Sequence, residues 1–188
     1  MKCFQTDKKE SFSSRIKRFG FNLFPAYHRS GGKVRFISND WKEIHVSLKL
    51  TWKTRNYVGT VYGGSIYSAL DPMFMIQLIR ILGSGYVVWD KEAVVKFIRP
   101  ISHQVCARFL ITDELITQIK ETVAKQKEMT LNLPVHFEDK AGKVYAEVGK
   151  KLYVADKAFY KEKRKRKKSE RATGRSGENE NEQKYGKV

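Results

Sequence analysis

From Glu43 onward apolar and polar residues alternate strictly, with Ile44, Val46, Leu48 and Leu50 on one side and His45, Ser47 and Lys49 on the other. A period of two is that of a half-buried strand. The same period returns at Val105, Ala107, Phe109 and Ile111, at Met129, Leu131, Leu133, Val135 and Phe137, and at Val144, Ala146 and Val148, predicting three more strands. Ala93 to Ile98 reads as another, closed by Arg99-Pro100. Asp139-Lys140-Ala141-Gly142 has the turn chemistry of a hairpin joining the last two strands.

Helical spacing appears in three places. Ser11 to Phe24 carries Phe12, Ile16, Phe19 and Leu23 with Arg15, Lys17 and Arg18 between them, a basic amphipathic helix. Such a helix can lie on a membrane, but in a soluble domain its apolar face is expected to pack on the core. Pro25 ends it, and Gly31-Gly32 marks a turn. Asp113 to Gln126 places Leu115, Ile116, Ile119 and Val123 on one face. Gly63 to Leu82 is different, being apolar nearly all round, and must be wrapped on most sides. Its apolar run approaches membrane-spanning length. Asp71-Pro72 interrupts it, and a charge near a bilayer centre costs about 2.5–3.5 kcal/mol, so it reads as a core helix. Pro72 should bend it.

One wrapped helix among alternating antiparallel strands predicts an α+β domain whose curved sheet encloses a central helix. The expected organisation is a loose N-terminus over residues 1–10, one domain over 11–156, and a disordered basic tail over 157–188.

Charge and cysteine use add little beyond this. Lys and Arg exceed Asp and Glu by 17, which favours anionic partners without choosing among phosphate-bearing ligands, nucleic acid and membrane. Residues 157–176 hold ten Lys or Arg against two acids. Nucleic-acid phosphates or anionic lipid are therefore possible partners of the tail, although no aromatic residues interleave it to stack bases, and a solvated tail is the favoured reading. Cys3 and Cys106 lie far apart without zinc spacing and are read as idle thiols in a reducing, cytoplasmic setting, a single disulfide remaining open. His28, His45, His103 and His136 are scattered, read as surface or strand residues, and no metal is expected.

The chemistry-bearing stretch is Asn56-Tyr57-Val58-Gly59-Thr60-Val61-Tyr62-Gly63-Gly64-Ser65, which leads into the apolar helix with Asp71 two turns along. Glycines at a helix start leave backbone N–H groups open to hold a carbonyl oxygen or developing oxyanion. A carboxylate left unpaired on an apolar helix is held toward its neutral form, which suits a general base. An Asp facing a polar crevice, or bonded across a subunit interface, fits the spacing equally well.

Asn56, Gly59, Gly63-Gly64 and Asp71, together with Phe97-Ile98-Arg99-Pro100 and the strands up to Val154, resemble the hotdog-fold acyl-CoA thioesterases of the phenylacetate-degradation type. Tyr62 stands where the better-known members carry His, as in an uncharacterised branch with Tyr-Gly-Gly. The resemblance implies a hotdog fold and thioester hydrolysis, with coenzyme A as part of the substrate and no separate cofactor. It implies that Asp71 activates water or attacks the thioester, that the Gly64 N–H polarises the carbonyl, and that Asn56 orients water or substrate. Gly63, Tyr62, Ser65 and Arg99 would contact substrate, and Arg99, Lys96 or Arg80 could meet coenzyme A phosphates. It also implies a pocket between two subunits, hence a homodimer or a dimer of dimers forming a homotetramer, acting on an acyl-CoA or an acyl carrier protein thioester. A non-catalytic acyl-thioester binder, with its basic tail on nucleic acid or membrane, is the main rival, and Tyr62 favours it. A dehydratase ranks low, because no histidine lies near Asn56–Asp71.

Overall fold

The structure, a computed structural model, describes residues 3–172. Its elements run α1 (Phe12–Leu23), α2 (Pro25–Ser30), β1 (Lys33–Ile37), β2 (Glu43–Leu48), α3 (Gly63–Leu70), α4 (Met73–Leu82), β3 (Tyr86–Phe97), β4 (Val105–Leu110), α5 (Asp113–Gln126), β5 (Glu128–Glu138), β6 (Val144–Asp156) and α6 (Lys157–Ala172). The strands form one antiparallel sheet in the order β1-β2-β4-β5-β6-β3, curved around α3 and α4. This is the α+β architecture that the alternation predicts.

The sheet's concave face supplies Val46, Phe109, Phe137, Val148 and Leu152, and the central helices supply Leu70, Phe74 and Leu78, all buried. Phe74 meets Phe109 edge to face at 4.8 Å, a geometry that aromatic quadrupoles favour. The apolar stretch Gly63–Leu82 has the length and hydropathy of a membrane span but is half buried inside this sheet. It is two helices rather than one bent helix. Pro72 has no N–H to donate, so the bonding breaks after Asp71 N–H reaches the Tyr67 carbonyl, and resumes when the Ile76 N–H reaches the Pro72 carbonyl.

The hairpin forms as expected, with Gly142 at φ 78° and Asp139 accepting from the Ala141 and Lys143 N–H groups. Strands β3, β5 and β6 are longer than their alternation suggested, because β6 continues through Gly149-Lys150-Lys151, where polar residues interrupt the pattern. Strand β1 and helix α2 lack a clear period and were not foreseen.

Four expectations are corrected. Residues 3–10 are not loose: Cys3 is disulfide-bonded to Cys106, Thr6 donates to Glu43 at 2.9 Å, and Phe4 packs on His45. This segment covers the outer face of β2, which explains why both faces of that strand are buried. The two cysteines are accordingly not idle thiols. The apolar face of α1 points to solvent rather than to the core. Residues 157–172 form a helix, started by Asp156 accepting from the Phe159 N–H and held by Lys163 on Glu128. The remainder of the basic tail lies outside the described residues.

Candidate functional site

The loop before α3 is closed by Asn56. Its carboxamide donates to Thr60 Oγ1 and accepts from the Thr60 N–H, both at 2.9 Å, and its own N–H reaches the Thr60 carbonyl at 2.7 Å. Gly59 sits in this turn at φ 86°, a conformation that favours glycine. The loop leaves Tyr57 and Val58 exposed at its tip.

Tyr62 is the N-cap of α3 and supplies no side-chain cap. Its ring instead lies against Gly64, where an added Cβ would stand 2.3 Å from the Tyr62 ring. A Cβ added at Gly63 would likewise stand 3.1 Å from the Phe97 ring, and Ser65 is buried. The first N–H groups of a helix lack acceptors within it, so Gly63, Gly64 and Ser65 present donors at the positive end of the dipole.

Asp71 stands at the far end of α3, and it is not unpaired. Lys150 Nζ donates to Asp71 Oδ1 at 2.7 Å and to the Tyr67 hydroxyl at 3.3 Å. It also lies 3.1 Å from Asp90 Oδ1, an ion pair whose angles fall short of a hydrogen bond. The Lys150 side chain has no solvent exposure, whereas that of Asp71 is 43% exposed. Burial opposes the ammonium charge of Lys150, but the hydrogen bond to Asp71 and the nearby charges of Asp71 and Asp90 outweigh it and hold the group above the ordinary lysine value. Burial raises the Asp90 carboxyl, against Lys150 and with help from the Asp71 charge. Burial, then the bond to Asp71, raises the Tyr67 hydroxyl.

Beside Asp71 lies an apolar cleft of about 590 Å³, walled by Phe21, Phe24 and Tyr27 from α1, α2 and their junction, and by Ser68, Pro72 and Ile76 from the central helices. Of these residues only Pro72 was singled out from the sequence, and for its effect on the helix rather than as part of a cleft. Lys150 was also missed, although a lysine in the inward register of Ala146, Val148, Leu152 and Val154 is a readable anomaly once β6 is recognised.

The expected residues thus fall in three places. Asn56, Tyr62, Gly63, Gly64 and Ser65 gather at the start of α3, and Asp71 stands alone at its end. With 1.5 Å of rise per residue, Gly64 and Asp71 are about 10 Å apart along the helix. One thioester carbonyl does not touch both within a single chain. Arg99 is exposed and bonded to the Val144 carbonyl at the β5–β6 end of the sheet, and Arg80 lies over the Trp41 ring. His45 is a strand residue, as expected, but is buried and bonded to Glu43 at 2.6 Å. Among the described residues, no three His, Cys, Asp or Glu side chains stand close enough to share a metal ion.

A family model described as "Domain of unknown function (DUF4442)" matches residues 15–154. Among solved structures, a Pseudomonas aeruginosa protein of unknown function, described as a probable thioesterase, is similar at a TM-score of 0.67 and 16% identity, covering 78% of this chain and 98% of that one. A Chlorobaculum tepidum protein of unknown function gives 0.61 and 15%, covering 77% and 94%. A Haemophilus influenzae thioesterase gives 0.56 and 14%, covering 80% and 96%. These similarities establish the hotdog fold. No curated protein matches the chain.

Proposed function

This chain belongs to the family described as a domain of unknown function (DUF4442), and on that premise we propose that it is an acyl-thioester hydrolase acting through Asp71. The observation that carries the reading is the Asp71 carboxylate at the α3–α4 break, held by a buried ammonium and opening on an apolar cleft. An acyl chain suits such a cleft, and its carbonyl would then lie near Asp71, the one carboxylate among the described residues of the lining.

Asp71 takes a proton from a water molecule as the water oxygen bonds to the carbonyl carbon. The thiolate then leaves and takes up a proton, so thioester and water become carboxylic acid and thiol. Direct attack by Asp71 would reach the same products through an anhydride that water opens. Lys150 fixes Asp71 Oδ1, and the half-exposed carboxylate would do this work through its second oxygen.

Polarising the carbonyl through the Gly64 N–H requires a helix start from another copy, given the separation within one chain. A homodimer supplies it. Strand β3 forms an unpaired sheet edge, with Val94 54% and Phe97 61% exposed, and such an edge invites pairing. The substrate class is acyl-CoA or an acyl carrier protein thioester, and assembly into a dimer of dimers remains compatible.

Thiol release from a panel of acyl-CoAs, with wild type and Asp71→Asn side by side, tests the reading. Release that the substitution abolishes supports it. Binding without release favours a non-catalytic acyl-thioester binder, a reading supported by the engagement of both polar ends of Asn56 with Thr60. Release that survives the substitution removes Asp71 from the mechanism.

A further inference from the structure

Helix α1 carries its apolar residues outward. Phe12, Ile16, Phe19 and Leu23 fall within a stripe of about 60° at 100° per residue, and they are 76%, 56%, 65% and 59% exposed, with Phe24 at 61% extending the run. The helix is fixed from its other side. Ser14 is buried, Asn22 donates to the Val34 carbonyl and accepts from the Val34 N–H, and Arg18 is paired with Glu10 through two bonds. The outward stripe therefore belongs to a docked helix. Arg15 borders it, while Lys17 is turned away and lies over the Trp41 ring.

A basic groove of about 280 Å³ opens beside the C-terminal end of that helix, with Asn22 on its border. Arg29, Lys33, Arg35, Lys49 and Lys53 line it, no Asp or Glu among the described residues does, and Trp52 at its rim is 84% exposed. Apolar stripe, cationic groove and exposed indole are the three chemistries of a lipid interface: acyl chains, headgroup phosphates and the boundary between them.

We infer that this corner is a docking surface for an anionic lipid bilayer, with α1 lying in the interface and the groove holding headgroup phosphates. Charge complementarity selects this occupant. A second copy would set two cationic corners against each other on chains already carrying +17. Residues 173–188 of the chain hold only Tyr185 and Val188 as large apolar side chains, too few to cover the stripe.

Phe24 belongs both to the stripe and to the cleft beside Asp71. A lipid-dissolved acyl chain would thus enter from the bound membrane, a corollary that rests on the hydrolase reading. Vesicle binding requires no turnover, so docking and hydrolysis fail independently.

The test is co-flotation of the full chain with vesicles of phosphatidylcholine mixed with phosphatidylglycerol, and with phosphatidylcholine alone, alongside light scattering of the lipid-free protein. The wild type binds the mixed vesicles and is weakened by salt. Ile16→Ser/Phe19→Ser lowers that affinity about ten-fold or more, and Lys33→Gln/Lys49→Gln removes the preference for anionic lipid. Failure of the wild type to bind mixed vesicles, or unchanged affinity in the stripe variant, overturns the proposal. So does a loss of mass by the lipid-free stripe variant, which would make the stripe an interface between copies.

Discussion

Lys150 Nζ lies 2.7 Å from Asp71 Oδ1 while its own side chain is closed to solvent. The candidate catalytic carboxylate is therefore steered by a cation from the opposite layer of the fold, β6 facing the α3–α4 break. Two acids share this one ammonium, since Asp90 completes the group.

Asp71→Asn retains the fold and lowers kcat for thioester hydrolysis by about 10²–10⁴-fold, the range supplied by a positioned acid or base. Steady-state kinetics with far-UV circular dichroism on the same preparation checks both halves. A loss of secondary structure would assign Asp71 a structural part instead.

Lys150→Met leaves Asp71 and Asp90 facing each other without their counter-ion. Breaking a buried pair costs about 3–5 kcal/mol, and the solvent access of Asp71 puts the expected loss near the lower figure. Urea denaturation reads it. Adding Asp90→Asn to Lys150→Met should restore part of the loss by removing the facing charge, whereas an additive further loss would mean that Lys150 acts mainly through packing.

Gly64→Ala drives a methyl group into the Tyr62 ring, 2.3 Å from the position its Cβ would take. Tyr62 is 59% exposed and its ring can swing outward, so the cost stays at or below the lower end of the about 1–3 kcal/mol of core overpacking, while the displaced ring should also lower turnover. Tyr62→Ala combined with Gly64→Ala should recover stability. If the double variant remains as unstable as the single one, the contact with Tyr62 is not what demands glycine.

Stability should fall in acid in two stages. Burial lowers the His45 imidazole below 6.5, so its contribution is full above pH 6.5 and is lost as pH drops through the folded value. Burial opposes the Glu43 charge, but His45, Arg108 and Thr6 outweigh it and lower the carboxyl below 4.5, so this second contribution is full above pH 4.5 and lost below the folded value. Urea midpoints between pH 7 and pH 3 should show both stages, and His45→Gln should remove the upper one. An unchanged upper stage in that variant would assign it to another group.

Cysteine 3 and Cys106 close a loop over a sequence separation of 103, and for a loop of that size the chain-entropy contribution reaches about 4–5 kcal/mol. Cys3→Ser should lower the melting temperature and free residues 3–10 from the outer face of β2. Melting with and without reductant measures this. Thiol counting on protein taken directly from its cell also tests the expected cytoplasmic setting, where the pair would be reduced.

The half-buried strands were readable because alternation records which face meets the core, as with Val105, Ala107 and Phe109 on β4. A disturbance at Pro72 was readable because a missing N–H is a local fact, though it was read as a bend and not as the division into two helices. Strand β1 and the first half of β3 were less so, because their burial does not alternate cleanly, and the second half of β6 was missed because Gly149, Lys150 and Lys151 disturb its period. Lys150 was invisible as a site residue for the same reason. A lysine among strand residues is ordinarily solvent-facing, and its burial follows from two acids that are distant in the chain.

The sequence alone determined the α+β class, the wrapped helix, the hairpin at Asp139–Gly142 and the presence of Asp71 on an apolar segment, because each depends on residue spacing within one element. Only the tertiary structure decided that Asp71 is paired with Lys150, that Asn56 is tied to Thr60 in its loop, that Cys3 meets Cys106 and that the apolar face of α1 looks outward. Periodicity reports that a helix has two faces, but which face meets the protein depends on contacts such as Asn22 with Val34 and Arg18 with Glu10, which pattern alone does not encode.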